Sequence, residues 1–230
     1  MKKVVLVTGS NKGIGFEVVR QLTQRGHTVY LAARDVARGE AAIHQLSLEN
    51  LSVRLVPLDV TQDHSISQAA NYVKQHSGKM DVLINNAAIL LKEDRSLTSD
   101  PNEVFQRTWL TNVTGVLNVT RQFLPLISRG GRIINTSSGG GSMTDPVGGW
   151  SPAYCVSKSA VNALTRQLAF ELGSKQITVC AYCPGWVKTD MGGKSAPRGV
   201  AQGADTAVWL SETPTVKTGT FYRDRQEIPW

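Results

Sequence analysis

From one end of the chain to the other, short apolar runs alternate with segments of helical periodicity, and that order leaves few architectures open. Strand-like runs fall at about 3 to 8, 28 to 33, 53 to 58, 81 to 86, 131 to 137, 177 to 183 and 219 to 222. Helix-like patterns occupy about 14 to 26, 37 to 48, 64 to 76, 102 to 128, 152 to 172 and 200 to 211. The first six strands are continuous runs rich in Val, Ile and Leu, without the polar alternation of a half-exposed strand, so both of their faces are covered. This predicts an α/β fold: a Rossmann-type, doubly wound parallel sheet of about seven strands with helices on both faces. At 230 residues, with no linker, internal repeat or low-complexity tract, the chain fits a single domain.

Two stretches stand outside the alternation, at about 139 to 151 and 190 to 199, both rich in Gly, Ser and Pro and following the fifth and sixth strands. Ligands of open α/β sheets bind beyond the carboxyl ends of the strands, so these loops are expected to form the rim of a substrate site. Plain surface connections are the alternative. A net charge of +7 admits an anionic partner. The basic residues are scattered, without a block of like charge or aromatic interleaving, so a solvated basic surface is expected and a nucleic-acid partner is not. No apolar run reaches about 18 residues, and Met1-Lys2-Lys3 leads straight into Val4-Val5-Leu6-Val7 without a cleavage-site pattern; this reads as a cytoplasmic protein with no membrane partner.

Cys155, Cys180 and Cys183 are odd in number, which argues against a disulfide framework. Cys180 and Cys183 have C-x-x-C spacing, but no second pair follows, and His27, His44, His64 and His76 lie far upstream. No metal site is expected. A separation of three in a strand sends the two thiols to opposite faces, so both read as packing residues.

Strand one runs into Thr8-Gly9-Ser10-Asn11-Lys12-Gly13-Ile14-Gly15, after which Phe16 to Leu22 has helical periodicity. Glycines there permit a tight turn and close approach of a pyrophosphate to the backbone, while the helix start offers free N–H groups and a positive dipole end. Further motifs follow in order: Asp59-Val60 after strand three, Asn85-Asn86-Ala87-Ala88 after strand four, Asn112 in the fourth helix and Ser138 at the end of strand five. Tyr154-x-x-x-Lys158 and Pro184-Gly185-Trp186-Val187-Lys188-Thr189 complete the series. Together these motifs resemble the short-chain dehydrogenase/reductase family along nearly the whole chain. The stretches Asn11 to Gly15, Leu31-Ala32-Ala33-Arg34-Asp35 and Cys183 to Met191, with Trp230, resemble its carbonyl reductase branch.

The resemblance implies reduction of a small-molecule carbonyl substrate with a nicotinamide cofactor held by Gly9, Asn11, Lys12, Gly13, Ile14, Gly15, Arg34, Asp59, Val60, Asn86, Pro184, Val187 and Thr189, together with Tyr154 and Lys158. An NAD enzyme carries an acid at the end of strand two, which would repel a 2′-phosphate. By the family register that position is Ala33, followed by Arg34, and with Lys12 in the glycine turn the pair favours NADPH/NADP+. Asp35 keeps the opposite reading open, since one residue of misregister would restore an acidic ribose binder.

Tyr154 and Lys158 lie four apart behind Ser151 and Pro152, a cap residue and a first-turn residue, so both side chains project from one helix face. A phenol with an ordinary pKa near 10 exchanges protons poorly at neutral pH, and an adjacent ammonium should lower it. By resemblance Tyr154 donates the proton, Ser138 holds the carbonyl oxygen and Asn112 supports a water relay from Lys158. Ser137 is the fallback for Ser138, because strand alternation lets only one of the two face the cleft. For Asn112 the plain alternative is a surface position in mid-helix.

Ile89, Met143, Trp150, Trp186 and Met191 fall at or beside these motif ends and predict an apolar, aromatic substrate pocket. The same residues permit an enzyme working in the oxidising direction, or a nucleotide-sensing protein without turnover. The helix at 152 to 172 is apolar on two faces: Tyr154, Lys158, Val161, Thr165, Leu168 and Leu172 share one, and Val156, Ala160, Ala163 and Phe170 the other. A second apolar stripe predicts a homodimer or homotetramer, with a C-terminal segment folding back as the alternative cover.

Overall fold

The computed structural model describes residues 1–144 and 150–230, so the middle of the first predicted loop lies outside the described residues. Eight strands form one sheet: β1 (Val4–Thr8), β2 (Thr28–Ala33), β3 (Arg54–Pro57), β4 (Met80–Asn85), β5 (Ile127–Thr136), β6 (Thr178–Tyr182), β7 (Thr220–Arg223) and β8 (Gln226–Ile228). Their order is β3-β2-β1-β4-β5-β6-β7-β8. All pairs are parallel except β7 with β8. Chain direction across the sheet reverses between β1 and β4, and that switch point opens the crevice where ligands of doubly wound folds sit.

Side chains alternate across the strands into two cores. Leu6, Val56, Ile133 and Val179 pack on one face with residues of α3 (Asp63–Ser77), α5 (Gly115–Phe123) and α6 (Pro152–Leu172). Val5, Val7, Leu31, Ile84 and Cys180 pack on the other with residues of α1 (Gly13–Gln24), α2 (Val36–Ser47) and α7 (Val200–Glu212). Period-two burial on both faces is what the continuous apolar strands required.

Two expectations are corrected. The sheet has eight strands and not about seven, because the chain turns at Asp224 and Arg225, both at positive φ, and returns as a short antiparallel edge. The single helix expected at 102 to 128 is four pieces: α4 (Asn102–Trp109), a π-helical turn Leu110–Thr114, α5, and a 3-10 turn Leu124–Leu126, with β5 already begun at Ile127. A π turn keeps the apolar periodicity nearly intact while widening the helix at one point, which is why the pattern did not reveal it.

Candidate active site

At the β1–β4 crevice the two strand ends are locked together by polar contacts. The Thr8 hydroxyl accepts the backbone N–H groups of Asn86 (2.9 Å) and Ala87 (3.0 Å), and the Asn86 amide donates back to the carbonyls of Thr8 (2.9 Å) and Gly9 (3.1 Å). Gly9 has φ +61°, and a Cβ there would stand 2.8 Å from the Ala87 Cα, so both its conformation and its neighbours exclude a side chain. A Cβ on Gly15 would strike the Asn86 amide at 2.4 Å. Helix α1 then begins with no side-chain cap and no acidic residue in its first turn. Its leading N–H groups are left for an anion, and the cradle fits a pyrophosphate.

The charges around that cradle are arranged unevenly. The Asp35 carboxylate caps α2, accepting the Arg38 N–H at 3.0 Å and pairing with the Arg38 guanidinium at 3.4 Å. Arg34 is exposed and makes no ion pair among the described residues. Lys12 is paired with Asp190 at 2.6 Å, which together with nearby Arg38 holds that carboxyl below its ordinary range. Lys12 and Arg38 therefore both act on the Asp190 carboxylate, and Arg34 stands exposed just beyond β2; Arg38 was not among the cations expected from the sequence. Ile14 lines the glycine turn against Gly203 of α7. Asp59 binds the Thr61 N–H (2.9 Å) and hydroxyl (2.7 Å), and Val60 packs on Gly115. Thr189 reaches back over the same turn, its methyl 3.3 Å from where a Gly13 Cβ would be, while Val187 is buried against Gly203. Asn11 is half-buried in the turn and Pro184 half-buried at the end of β6.

Farther along the sheet, α6 lays Tyr154 and Lys158 beside the end of β5. The two serines divide as strand alternation requires. Ser137 is buried and donates to Asn162 of α6 at 2.6 Å, whereas Ser138 stands beside the Tyr154 phenol and accepts the Gly140 N–H at 3.1 Å. Lys158 Nζ lies 5.5 Å from the centre of the Tyr154 ring and donates to the Thr136 carbonyl at 2.8 Å. The short glycine turn Gly139–Gly141 presses directly on the helix; a Cβ at Gly141 would meet the Lys158 backbone at 2.5 Å.

Burial dominates the titration of both groups. The Tyr154 phenol is pushed above its ordinary value by burial, only partly offset by its bond to Ser138. Lys158 is pushed down to about 8, again by burial. The lowered phenol expected from Tyr-x-x-x-Lys is therefore not what this structure shows: the ammonium sits over the ring and is engaged by a carbonyl.

Asn112 lies in the π turn and is fully buried, which excludes the surface alternative. Its amide clasps Ile89, accepting the N–H at 2.8 Å and donating to the carbonyl at 2.9 Å, and donates to Ser157 Oγ at 3.0 Å. It thus ties the end of β4 to the residue beside Lys158, at a helical irregularity of the kind found at functional sites.

This geometry matches a known family. The short chain dehydrogenase family model matches residues 3–198. The chain belongs to that family. Among curated family members it is 36% identical to carbonyl reductase [NADPH] 1 of Sus scrofa, over 99% of this chain and 94% of the relative. That alignment spans 274 positions against 230 residues here, so the pig protein carries segments this chain lacks. Among solved structures, NADPH-bound carbonyl reductase from chicken fatty liver superposes with a TM-score of 0.90 at 29% identity, covering 100% of this chain and 99% of that one. Salutaridine reductase from Papaver somniferum gives 0.86 at 28% identity, covering 97% and 100%.

Of the five residues expected to line a family substrate pocket, Trp150 comes closest to the chemistry, its ring 5.7 Å from that of Tyr154. Ile89 is held by Asn112, and Met143, Trp186 and Met191 are exposed along the loops, making an apolar rim among the described residues. Several fastenings of that rim were not anticipated. Cys183 is more than a packing residue: its sulfur accepts the N–H groups of Gly139 (3.1 Å) and Gly185 (3.4 Å), one just after β5 and one just after β6. The Arg198 guanidinium donates to both carboxylate oxygens of Asp224, at 2.6 and 2.7 Å. The Trp230 carbonyl accepts the N–H groups of Met143 and Thr144 (both 3.0 Å) and the Thr144 hydroxyl (2.8 Å).

Proposed function

We propose that this chain is an NADPH-dependent carbonyl reductase in which Tyr154 protonates the carbonyl oxygen. The observation that carries the proposal is the placement of buried Tyr154 with Lys158 Nζ 5.5 Å from its ring and Ser138 beside its phenol, at the carboxyl ends of the sheet. When bound, NADPH supplies a hydride to the carbonyl carbon. Ser138 and Tyr154 present two hydroxyl groups to the oxygen of that carbonyl, and the phenol, kept protonated by burial, gives up its proton as negative charge gathers there. The phenolate that remains lies beside the Lys158 ammonium, whose pKa of about 8 suits it to return a proton near neutral pH. Asn112, bonded to the residue next to Lys158, supports a water path from that ammonium to solvent.

NADPH and not NADH is favoured because Asp35 is committed to capping α2, while Arg34 and Arg38 stand at the end of β2 with Lys12 across from them. The cofactors named for the pig and chicken relatives support the same choice. Met143, Trp150, Trp186, Met191 and Ile89 offer apolar surface with no cluster of Arg or Lys reserved for an acidic group, which suits aromatic or medium-chain ketones and aldehydes, α-dicarbonyls or quinones. A panel of such compounds, each incubated with protein and NADPH, tests the reading through loss of the reduced-nicotinamide absorbance. Consumption above the protein-free blank is expected for at least one aromatic carbonyl; none across the panel overturns the proposal.

The same reading includes a homodimer or homotetramer built on α6. Val156 and Phe170 are exposed on its outer face, Phe170 at 87%, and the stacked rings of Phe105 and Trp109 are exposed on neighbouring α4. The C-terminal segment does not cover them, since it forms β7 and β8 and stacks Trp230 on Phe221. Light scattering at micromolar concentration should give a multiple of the 25.0 kDa chain mass; a single species at that mass overturns it.

A further inference from the structure

Helix α6 carries the proposed proton donor in its first turn, yet it has no cap of its own. Ser151 precedes it at φ +36° and makes no capping bond, and Pro152 has no N–H to offer. The first two donors of the helix are therefore the backbone N–H groups of Ala153 and of Tyr154 itself. Both are taken by one side chain from far away in the sequence. Asp94, between β4 and α4, is 4% exposed and accepts Ala153 N–H on Oδ1 at 2.9 Å and Tyr154 N–H on Oδ2 at 2.8 Å.

We propose that Asp94 is a positioning residue for the reaction, fixing the backbone of Tyr154 so that its phenol meets Ser138 and the substrate oxygen. This rests on the reading of Tyr154 as proton donor. A carboxylate bridging two N–H groups makes short, charge-assisted bonds, and its charge faces the positive end of the helix dipole. A cavity of about 190 Å³, lined by Asp94, Leu97, Val104, Phe105 and Ala153, lies beside these two bonds, and α4 packs against α6 around it. The anchor is also direct: it holds the tyrosine by its own amide, one residue from the side chain that reacts.

The test compares Asp94→Ala with Asp94→Asn, which keeps the shape and one acceptor and guards against loss of folding in the alanine variant. With the carbonyl of the panel that the wild type reduces best, Asp94→Ala should lower kcat about tenfold or more, a misplacement well under 1 Å being sufficient. NADPH affinity, read by fluorescence of the bound cofactor, should stay within about twofold, because the glycine cradle is elsewhere. Asp94→Asn should recover part of kcat, and the solvent deuterium isotope effect on kcat should rise as proton transfer becomes more limiting. Wild-type kcat in both variants overturns the proposal. So does a fall in kcat matched by an equal fall in NADPH affinity, which would mark a general loosening. If the wild type reduces nothing, the functional reading fails first. Amide exchange at the start of α6 in the NADPH-bound protein then decides the anchor alone: unchanged exchange in Asp94→Asn overturns it.

Discussion

At the β1–β4 crevice, the parts that would hold the cofactor are strand ends and the residues that directly follow them, Thr8, Gly9, Asn86 and Ala87, joined by backbone and short polar contacts. Across β5 and β6 the loops that would hold the substrate are fastened by side chains and carbonyls from remote segments: Asp94, Cys183, Asp224 and Trp230. The first half is specified by shape, because glycine cradles admit no alternative, and shape of that kind is written locally as a motif. The second is specified by long-range ties between residues that each look ordinary, so it can change its outline without disturbing the sheet. A family that keeps one cofactor chemistry while varying its substrates would be built in this way.

The seam between the halves is where the largest effects are expected. Tyr154→Phe removes the proton and leaves the ring, so kcat should fall by about 10² to 10⁴ while NADPH binding is unchanged. Near wild-type turnover would remove the seam from the chemistry. Lys158→Met tests the same seam by stability. Its ammonium is buried with a pKa of about 8, so below pH 8 the charge is held in both folded and unfolded states and its burial opposes folding. Between about 8 and the ordinary lysine value the unfolded chain alone keeps the proton, and stability rises with pH. Removing the charge should stabilise the protein near pH 7 by up to about 3 kcal/mol, less the lost bond to Thr136, and abolish that rise. Urea unfolding of both proteins at neutral and alkaline pH checks it. Equal slopes would mean the ammonium is solvated.

Legibility in the sequence follows the same division. The parallel sheet and the cover on both of its faces could be read because doubly covered strands leave continuous apolar runs, whereas β8 could not, being three residues of which Gln226 and Glu227 are exposed. Ser138 and Ser137 were distinguishable only as an alternation; which one faces Tyr154 depends on where α6 lies. Asp94 was hidden for a different reason. It stands in Lys92-Glu93-Asp94-Arg95, a run of charges that reads as a solvated surface, and the fold buries one of the four. Trp230 gave a family resemblance but no hint that its carbonyl would close a loop nearly ninety places earlier in the chain, at Thr144.

The cofactor half can be perturbed alone. Arg34→Ala should weaken NADPH by about tenfold to a hundredfold, as for one charge-assisted contact, and leave NADH almost untouched. Dissociation constants for both cofactors decide this, and equal losses would move the 2′-phosphate away from the end of β2.

The smallest effect is expected at Trp230, and it is the one that most directly asks whether the halves are separable. Its indole stacks on Phe221 at 5.4 Å between ring centres and 10° between planes, while its carbonyl receives three donors from Met143 and Thr144. Trp230→Ala removes the stack and leaves the carbonyl, so the clasp persists but is no longer held in place. An aromatic pair of this kind is worth about 0.5 to 1.5 kcal/mol, which converts to roughly twofold to tenfold in the population of the closed loop. KM for an aromatic carbonyl should therefore rise severalfold, with kcat at saturation and NADPH affinity both within about twofold of wild type. Trp230 touches nothing in the glycine cradle, so a loss of NADPH affinity as large as the rise in KM would show that the two halves are one cooperative unit and that the contrast drawn between them is wrong.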